Sequence, residues 1–231
     1  MENSTLAVIT GASRGIGLAL LDELSEKNIQ VISTSRNTPF NESTLLNFPV
    51  HHQQLDVSDI ASIKRFFEWF EKLNMPIHYF FNNAGTGVFK PIEEVLINEW
   101  ESVISTNLTG AFFCLQHAFP FLKLAKGARV INMGSIAENF SFQDNSVYTV
   151  SKIGLQAISK AINTEWSKHN IFCTHIVLGA VATEIWKGRK DFSKNDMLKP
   201  DQVAKLIINT LTQENSSRID TIEIFPKKGT L

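Results

Sequence analysis

The chain has 231 residues, 43% hydrophobic and 19% charged; at roughly 150 residues per domain this suits one large α/β unit and excludes a disordered chain or a small disulfide-stapled scaffold. Its 22 Lys and Arg against 23 Asp and Glu give a formal charge of −1, so no global field draws it to nucleic acid or an anionic membrane, and any anion site must be local. Cys114 and Cys173 lack a Cys-x-x-Cys partner, and the six histidines, His51, His52, His78, His117, His169 and His175, show no metal-ligand spacing; two free thiols, packing roles for the histidines and no metal are expected.

In chain order, β-branched or aromatic runs at 6–10, 29–34, 50–55, 77–81, 129–133, 171–177 and 221–225 read as seven strands, with helical spacing between them. Ile60, Ile63, Phe66, Phe67, Phe70 and Leu73 step by threes and fours, which places them on one helix face against a sheet. Strand and helix alternate along nearly the whole length, predicting right-handed crossovers, a doubly wound, mostly parallel sheet of about seven strands and helices on both faces. There is no internal repeat or linker, so residues 1–231 are expected to form a single domain. Breakers and charges at 37–47 and 183–200 mark loops, the segment 183–199 being long enough for a substrate lid. The opening residues lack a basic n-region and no run approaches about 18 apolar residues, so a cytoplasmic address without membrane contact is expected.

The first strand runs into Thr10-Gly11-Ala12-Ser13-Arg14-Gly15-Ile16-Gly17. Glycines there permit a tight turn, and the free N–H groups and positive end of the following helix favour a pyrophosphate. The same spacing also serves a purely structural strand-to-helix turn, and it is G-x-x-x-G-x-G, not the G-x-G-x-x-G fingerprint. An acid about 20 residues further on would bind the ribose hydroxyls of NAD, but the second strand closes on Ser33-Thr34-Ser35-Arg36-Asn37. Arg14 and Arg36, unless they are solvated surface residues, face a 2′-phosphate, each charge-assisted bond adding about 1.5 to 3 kcal/mol, roughly 10- to 150-fold. NADP is thus favoured over NAD.

Tyr148 and Lys152 are four apart on an expected helix, so phenol and ammonium share a face. At about 4 Å and an effective dielectric near 20 the ammonium favours phenolate by about 4 kcal/mol, enough to carry the phenol toward neutrality. Ser135 follows the fifth strand, at the carboxyl end of the sheet where ligands bind in open α/β folds.

Together, Thr10-Gly11-x-x-x-Gly15-Ile16-Gly17, Asn82-Asn83-Ala84-Gly85, Asn107, Ser135 and Tyr148-x-x-x-Lys152 resemble, in order and spacing, the short-chain dehydrogenase/reductase family over residues 5 to about 183. The resemblance implies a Rossmann-like domain in which Tyr148 protonates a carbonyl oxygen, Ser135 holds that oxygen, Lys152 binds the nicotinamide ribose and depresses the Tyr148 pKa, and Asn107 anchors a relay water. It further implies cofactor contacts at Gly11, Ser13, Arg14, Gly15, Ile16, Gly17, Arg36, Asn83, Ala84 and Gly85, at Asp56 on the adenine edge, and at Val181 and Thr183 beside the carboxamide. Asp56 has a competing reading as a helix cap, with Asp59 as an alternative.

Leu178 stands where the family usually has a proline, which is expected to loosen the segment that follows. The C-terminal run Ile222 to Gly229 departs from the Asp-Gly-Gly close of fatty-acid ketoreductases. A pocket bounded by 136–142, Phe89 and the 183–198 loop is expected, and Phe140, Phe142, Trp186 and Phe192 bias it toward an apolar or aromatic carbonyl or alcohol. The resemblance also implies a homodimer or homotetramer packed through residues 100–121 and 146–168. Two other readings remain at this point. One is an NADP-sensing protein without turnover, which needs none of the Ser, Tyr and Lys. The other is a short-chain-type isomerase or lyase, which usually carries a larger C-terminal domain than the 48 residues after Thr183 supply (231 − 183).

Overall fold

The computed structural model describes residues 5–38, 49–186, 193–212 and 217–229; Phe192 and most of the irregular 37–47 stretch lie outside them. Seven strands, β1 (Leu6–Ile9), β2 (Gln30–Ser35), β3 (Val50–Gln54), β4 (Tyr79–Asn82), β5 (Arg129–Met133), β6 (Phe172–Leu178) and β7 (Thr221–Ile224), form one sheet in the order β3-β2-β1-β4-β5-β6-β7. Every pair is parallel. The chain winds outward from β1 to β3, then returns to β4 beside β1. That reversal opens a crevice at the carboxyl ends of β1 and β4, where doubly wound sheets bind ligands.

Helices α1 (Gly15–Glu26) and α6 (Pro200–Leu211) cover one face, burying Leu20, Leu24, Val203 and Ile207 against Ile9, Val31 and Ile176. The other face carries α2 (Ile60–Glu71), α3 (Ile97–Ile104), α4 (Gly110–Leu124) and α5 (Ser146–Glu165). Asp59 starts α2, its Oδ1 accepting from the Ala61 N–H at 2.9 Å. The three-and-four spacing beyond it turns Ile63, Phe66, Phe67 and Phe70 into the core, and Trp69 is buried with them. Burying each such side chain stabilises the fold by roughly 1.5–3 kcal/mol. Cys114 and Cys173 are buried free thiols, and no helix among the described residues is long and apolar enough to cross a membrane.

A π turn at Ser105–Thr109 joins α3 to α4 with helical backbone on both sides. Such one-turn bulges re-aim side chains within a helix, and this one carries Asn107. Leu178 itself is held in the sheet. Leu178 is buried, pairs with Ile224, and leaves the Gly179 N–H to donate to the Ile224 carbonyl at 2.9 Å. The sheet ladder contributes to setting the backbone there.

Candidate active site

A cleft of roughly 480 Å³ runs across the carboxyl ends of the strands. Of the residues singled out from the sequence, Gly11, Ser13, Arg14, Gly15, Ile16, Gly17, Arg36, Asp56, Asn83, Ala84, Gly85, Ser135, Tyr148, Lys152, Val181 and Thr183 all line it. Asn107 lies behind the wall.

The glycine turn is buckled to β4. Thr10 Oγ1 donates to the Phe81 carbonyl and accepts from the N–H groups of Asn83 at 3.0 Å and Ala84 at 3.1 Å, while Asn83 Nδ2 donates to the carbonyls of Thr10 and Gly11. Gly11 sits at φ +68°, and a Cβ there would lie 2.8 Å from the Ala84 Cα. The buckle therefore needs glycine on steric grounds and asparagine on hydrogen-bonding grounds. Asn83 spends its side-chain N–H groups on the turn.

Arg14 precedes α1 in extended conformation without capping its helix through its side chain, leaving first-turn N–H groups for an anion. Its guanidinium is ion-paired with Glu184. At 66% and 63% side-chain exposure such a pair contributes about 0–1 kcal/mol, less than a charge-assisted phosphate contact. Arg36 is exposed at the cleft and makes no ion pair among the described residues. Asp56 is not the α2 cap, a task Asp59 performs; its Oδ1 accepts from the N–H and hydroxyl of Ser58 at 2.9 and 2.6 Å. Free backbone donors, glycine spacing and an unpaired arginine fit a phosphorylated dinucleotide.

At the other end, Ser135 leaves β5 and caps a 3-10 turn, Ile136–Glu138, its Oγ accepting from the Ala137 N–H at 3.2 Å. Tyr148 and Lys152 project from the first turns of α5, the Lys152 Nζ lying 5.5 Å from the Tyr148 ring centre and donating to the Met133 carbonyl at 2.7 Å. Burial pushes the Tyr148 phenol up to about 12, against a lowering hydrogen bond from Ser135 and with a further rise from the Glu138 charge. Burial likewise brings the Lys152 ammonium down to about 8, opposed by Glu138. The expected descent of the phenol toward neutrality is therefore corrected. Burial of the phenol is the largest influence on it and disfavours phenolate.

Asn107 is buried, with Nδ2 donating to the Thr86 carbonyl and Ser151 Oγ and Oδ1 accepting from the Thr86 N–H, each at 2.8–3.0 Å. Its side chain thus pins the Thr86 loop to α5, and these bonds leave no side-chain donor for a water. Phe89 stacks on Trp186 at 6.4 Å and 6° and meets Tyr148 at 5.8 Å, while Trp186 Nε1 donates to the Val181 carbonyl. Phe142 lines the cleft. Phe140 does not. It is 55% exposed.

Three features escape sequence reasoning. Asn145 lines the cleft with Oδ1 buried and without a hydrogen-bond partner among the described residues, Glu184 reaches Arg14 across 170 positions, and Glu138 meets His175 at 2.9 Å behind Ser135. The turn residue Asn145 offered no periodic signal, and the other two are long-range pairs. His175 departs from the simple packing role expected of it.

A doubly wound parallel sheet, a glycine turn at its switch point and a Ser, Tyr and Lys set in one cleft define the Rossmann-like oxidoreductases. The chain belongs to the short chain dehydrogenase family, whose sequence model matches residues 5–194. It is 27% identical over 227 residues to an uncharacterized oxidoreductase of Staphylococcus epidermidis, covering 96% of each chain. It is 25% identical over 237 residues to a sepiapterin reductase of Chlorobaculum tepidum, covering 97% of each. The alcohol dehydrogenase of the archaeon Thermococcus sibiricus, solved with 5-hydroxy-NADP, has the same fold at TM-score 0.84, with 23% identity and 96% of each chain covered.

Proposed function

We propose that this protein is an NADP-dependent reductase that interconverts a carbonyl and an alcohol. The observation that carries the reading is the meeting of Ser135, Tyr148 and Lys152 in the cleft that the glycine turn opens. When bound, the nicotinamide supplies or accepts the hydride. Ser135 holds the carbonyl oxygen, and Tyr148, protonated at neutral pH because burial holds it near 12, gives that oxygen its proton. Lys152 binds the nicotinamide ribose, and the cofactor lies against Gly11 to Gly17, Asn83 to Gly85, Val181 and Thr183. Asp56 meets the adenine edge. NADP over NAD rests on the unpaired Arg36 and the weakly held Arg14; the structure of the Thermococcus sibiricus relative with 5-hydroxy-NADP is consistent with that choice.

The aromatic wall of Phe89, Trp186 and Phe142 favours an apolar or aromatic substrate, and the unpartnered Asn145 Oδ1 favours one bearing a hydroxyl or N–H. Residues 1–231 are taken as one domain with a substrate loop at 183–199, of which 187–192 lie outside the described residues. A homodimer or homotetramer packs through the faces that expose Trp100, Phe112, Val150 and Ile153. The NADP-sensor reading is disfavoured by the complete Ser, Tyr and Lys set in the cleft.

The test is NADPH oxidation against aldehydes, ketones, quinones and 3-oxoacyl esters, with NADH in parallel and Tyr148→Phe as control. Turnover that Tyr148→Phe abolishes while NADPH binding persists supports the reading. Substantial turnover by Tyr148→Phe removes the proton donor assigned here.

A further inference from the structure

Behind Ser135 lies a buried ionisable couple that the proposed reaction does not use. The side chains of Glu138 and His175 are 0% and 3% exposed, and His175 Nε2 is 2.9 Å from both carboxylate oxygens. The ring's Nδ1 meets Ser159 Oγ at 2.9 Å. That hydroxyl accepts from Asn132 Nδ2 at 2.8 Å and donates to the Leu155 carbonyl at 2.9 Å. The ring thus bridges the Glu138 carboxyl group and the Ser159 hydroxyl, one nitrogen to each. The couple is an imidazole hydrogen-bonded to a buried carboxyl group.

Two further contacts tie it to the site. The Ser135 N–H points at Glu138 Oε2, 3.4 Å away, so the carboxylate closes the turn that Ser135 begins. Gly134 leaves the room for it, since a Cβ there would fall 2.3 Å from His175 Nε2 and 2.9 Å from Glu138 Oε2. The charged and titratable neighbours of Glu138 are Tyr148 and Lys152 on α5 and His175 on β6, and Gln156 Nε2 adds a neutral contact at 3.4 Å.

We propose that Glu138 and His175 form a positioning couple for the catalytic centre: Glu138 fixes the Ser135 turn and places a negative charge behind Tyr148 and Lys152, and His175 sets how much of that charge they feel. The inference rests on the reductase reading for its role in turnover, although the couple's charge acts on Lys152 whether or not that reading holds. Glu138 favours the Lys152 ammonium. Removing its charge must lower the pH at which Lys152 loses its proton, and removing His175, its partner at 2.9 Å, must raise it. A couple that merely packs would give the two changes the same effect.

The experiment compares Glu138→Gln, Glu138→Asp and His175→Asn in the full chain. Two readouts are used: the alkaline limb of kcat/KM for carbonyl reduction, and the pH at which urea stability begins to rise, referenced to Lys152→Met in each background. Glu138→Gln is expected to move both down by on the order of one pH unit, the size expected of one nearby charge at an effective dielectric near 20. His175→Asn moves both up, and Glu138→Asp, which keeps the charge, leaves them near the wild-type value while lowering kcat. If His175→Asn does not fold, the contrast between Gln and Asp at 138 decides. Unmoved midpoints, or equal movement in Gln and Asp, overturn the proposal. Absence of turnover in the wild type overturns the reductase reading alone, because the stability readout needs no reaction.

Discussion

The Arg14 guanidinium in the glycine turn is ion-paired with the Glu184 carboxylate, from the segment that follows β6, directly at the mouth of the cleft. A strap of this kind competes with any phosphate that approaches Arg14.

Releasing the strap should tighten the cofactor. Glu184→Gln removes a carboxylate that both occupies Arg14 and repels phosphate. A surface pair of about 0–1 kcal/mol predicts up to a roughly fivefold lower Kd for NADPH, read by fluorescence titration, with a smaller change for NADH. A weakened NADPH affinity would show that Glu184 supports the cofactor instead.

Arg36 carries the second half of the phosphate reading. Arg36→Ala should weaken NADPH by roughly 10- to 150-fold, the worth of one charge-assisted hydrogen bond of about 1.5–3 kcal/mol, and leave NADH nearly unchanged. Isothermal titration with both cofactors checks it. Equal losses for both would make Arg36 structural.

Lys152 ties stability to pH. Its folded value near 8 lies below the ordinary 10.5, so between these limits the unfolded chain binds more protons than the native one, and stability rises with pH. Below about 8 both states are protonated and the cost of burying the ammonium is carried in full, on the order of 3 kcal/mol. Urea unfolding should show a rise from pH 8 toward 10.5 that Lys152→Met abolishes. Turnover should decline over the same limb as the ammonium is lost, while Tyr148, held near 12, keeps its proton.

Trp100, Phe112, Val150 and Ile153 are each more than two-fifths exposed on neighbouring helices, an apolar surface of the kind that self-association covers. Ile153→Glu with Phe112→Glu should convert the proposed oligomer to monomers, followed by light scattering. A wild type that is already monomeric at micromolar concentration would refute the assembly.

The seven strands and α2 were legible because strand and helix periods leave their mark on neighbouring residues: Ile63, Phe66, Phe67 and Phe70 announce a buried face without reference to anything beyond that helix. The glycine turn and the Tyr148 and Lys152 pair were legible for the same reason, each being a local spacing with a local physical meaning. The sequence by itself therefore determined the fold class, the switch-point cleft and the residues that meet in it.

What only the tertiary structure decided is the electrostatic state of that cleft. Spacing places an ammonium beside Tyr148 but carries no information about burial, and burial raises the phenol instead of lowering it. The side chains of Glu138 and His175, like those of Arg14 and Glu184, interact across 37 and 170 positions. Asn107 is held by Thr86 and Ser151 from two other elements. Desolvation and charge pairing depend on distances that exist only after the strands have assembled, and no local pattern encodes them.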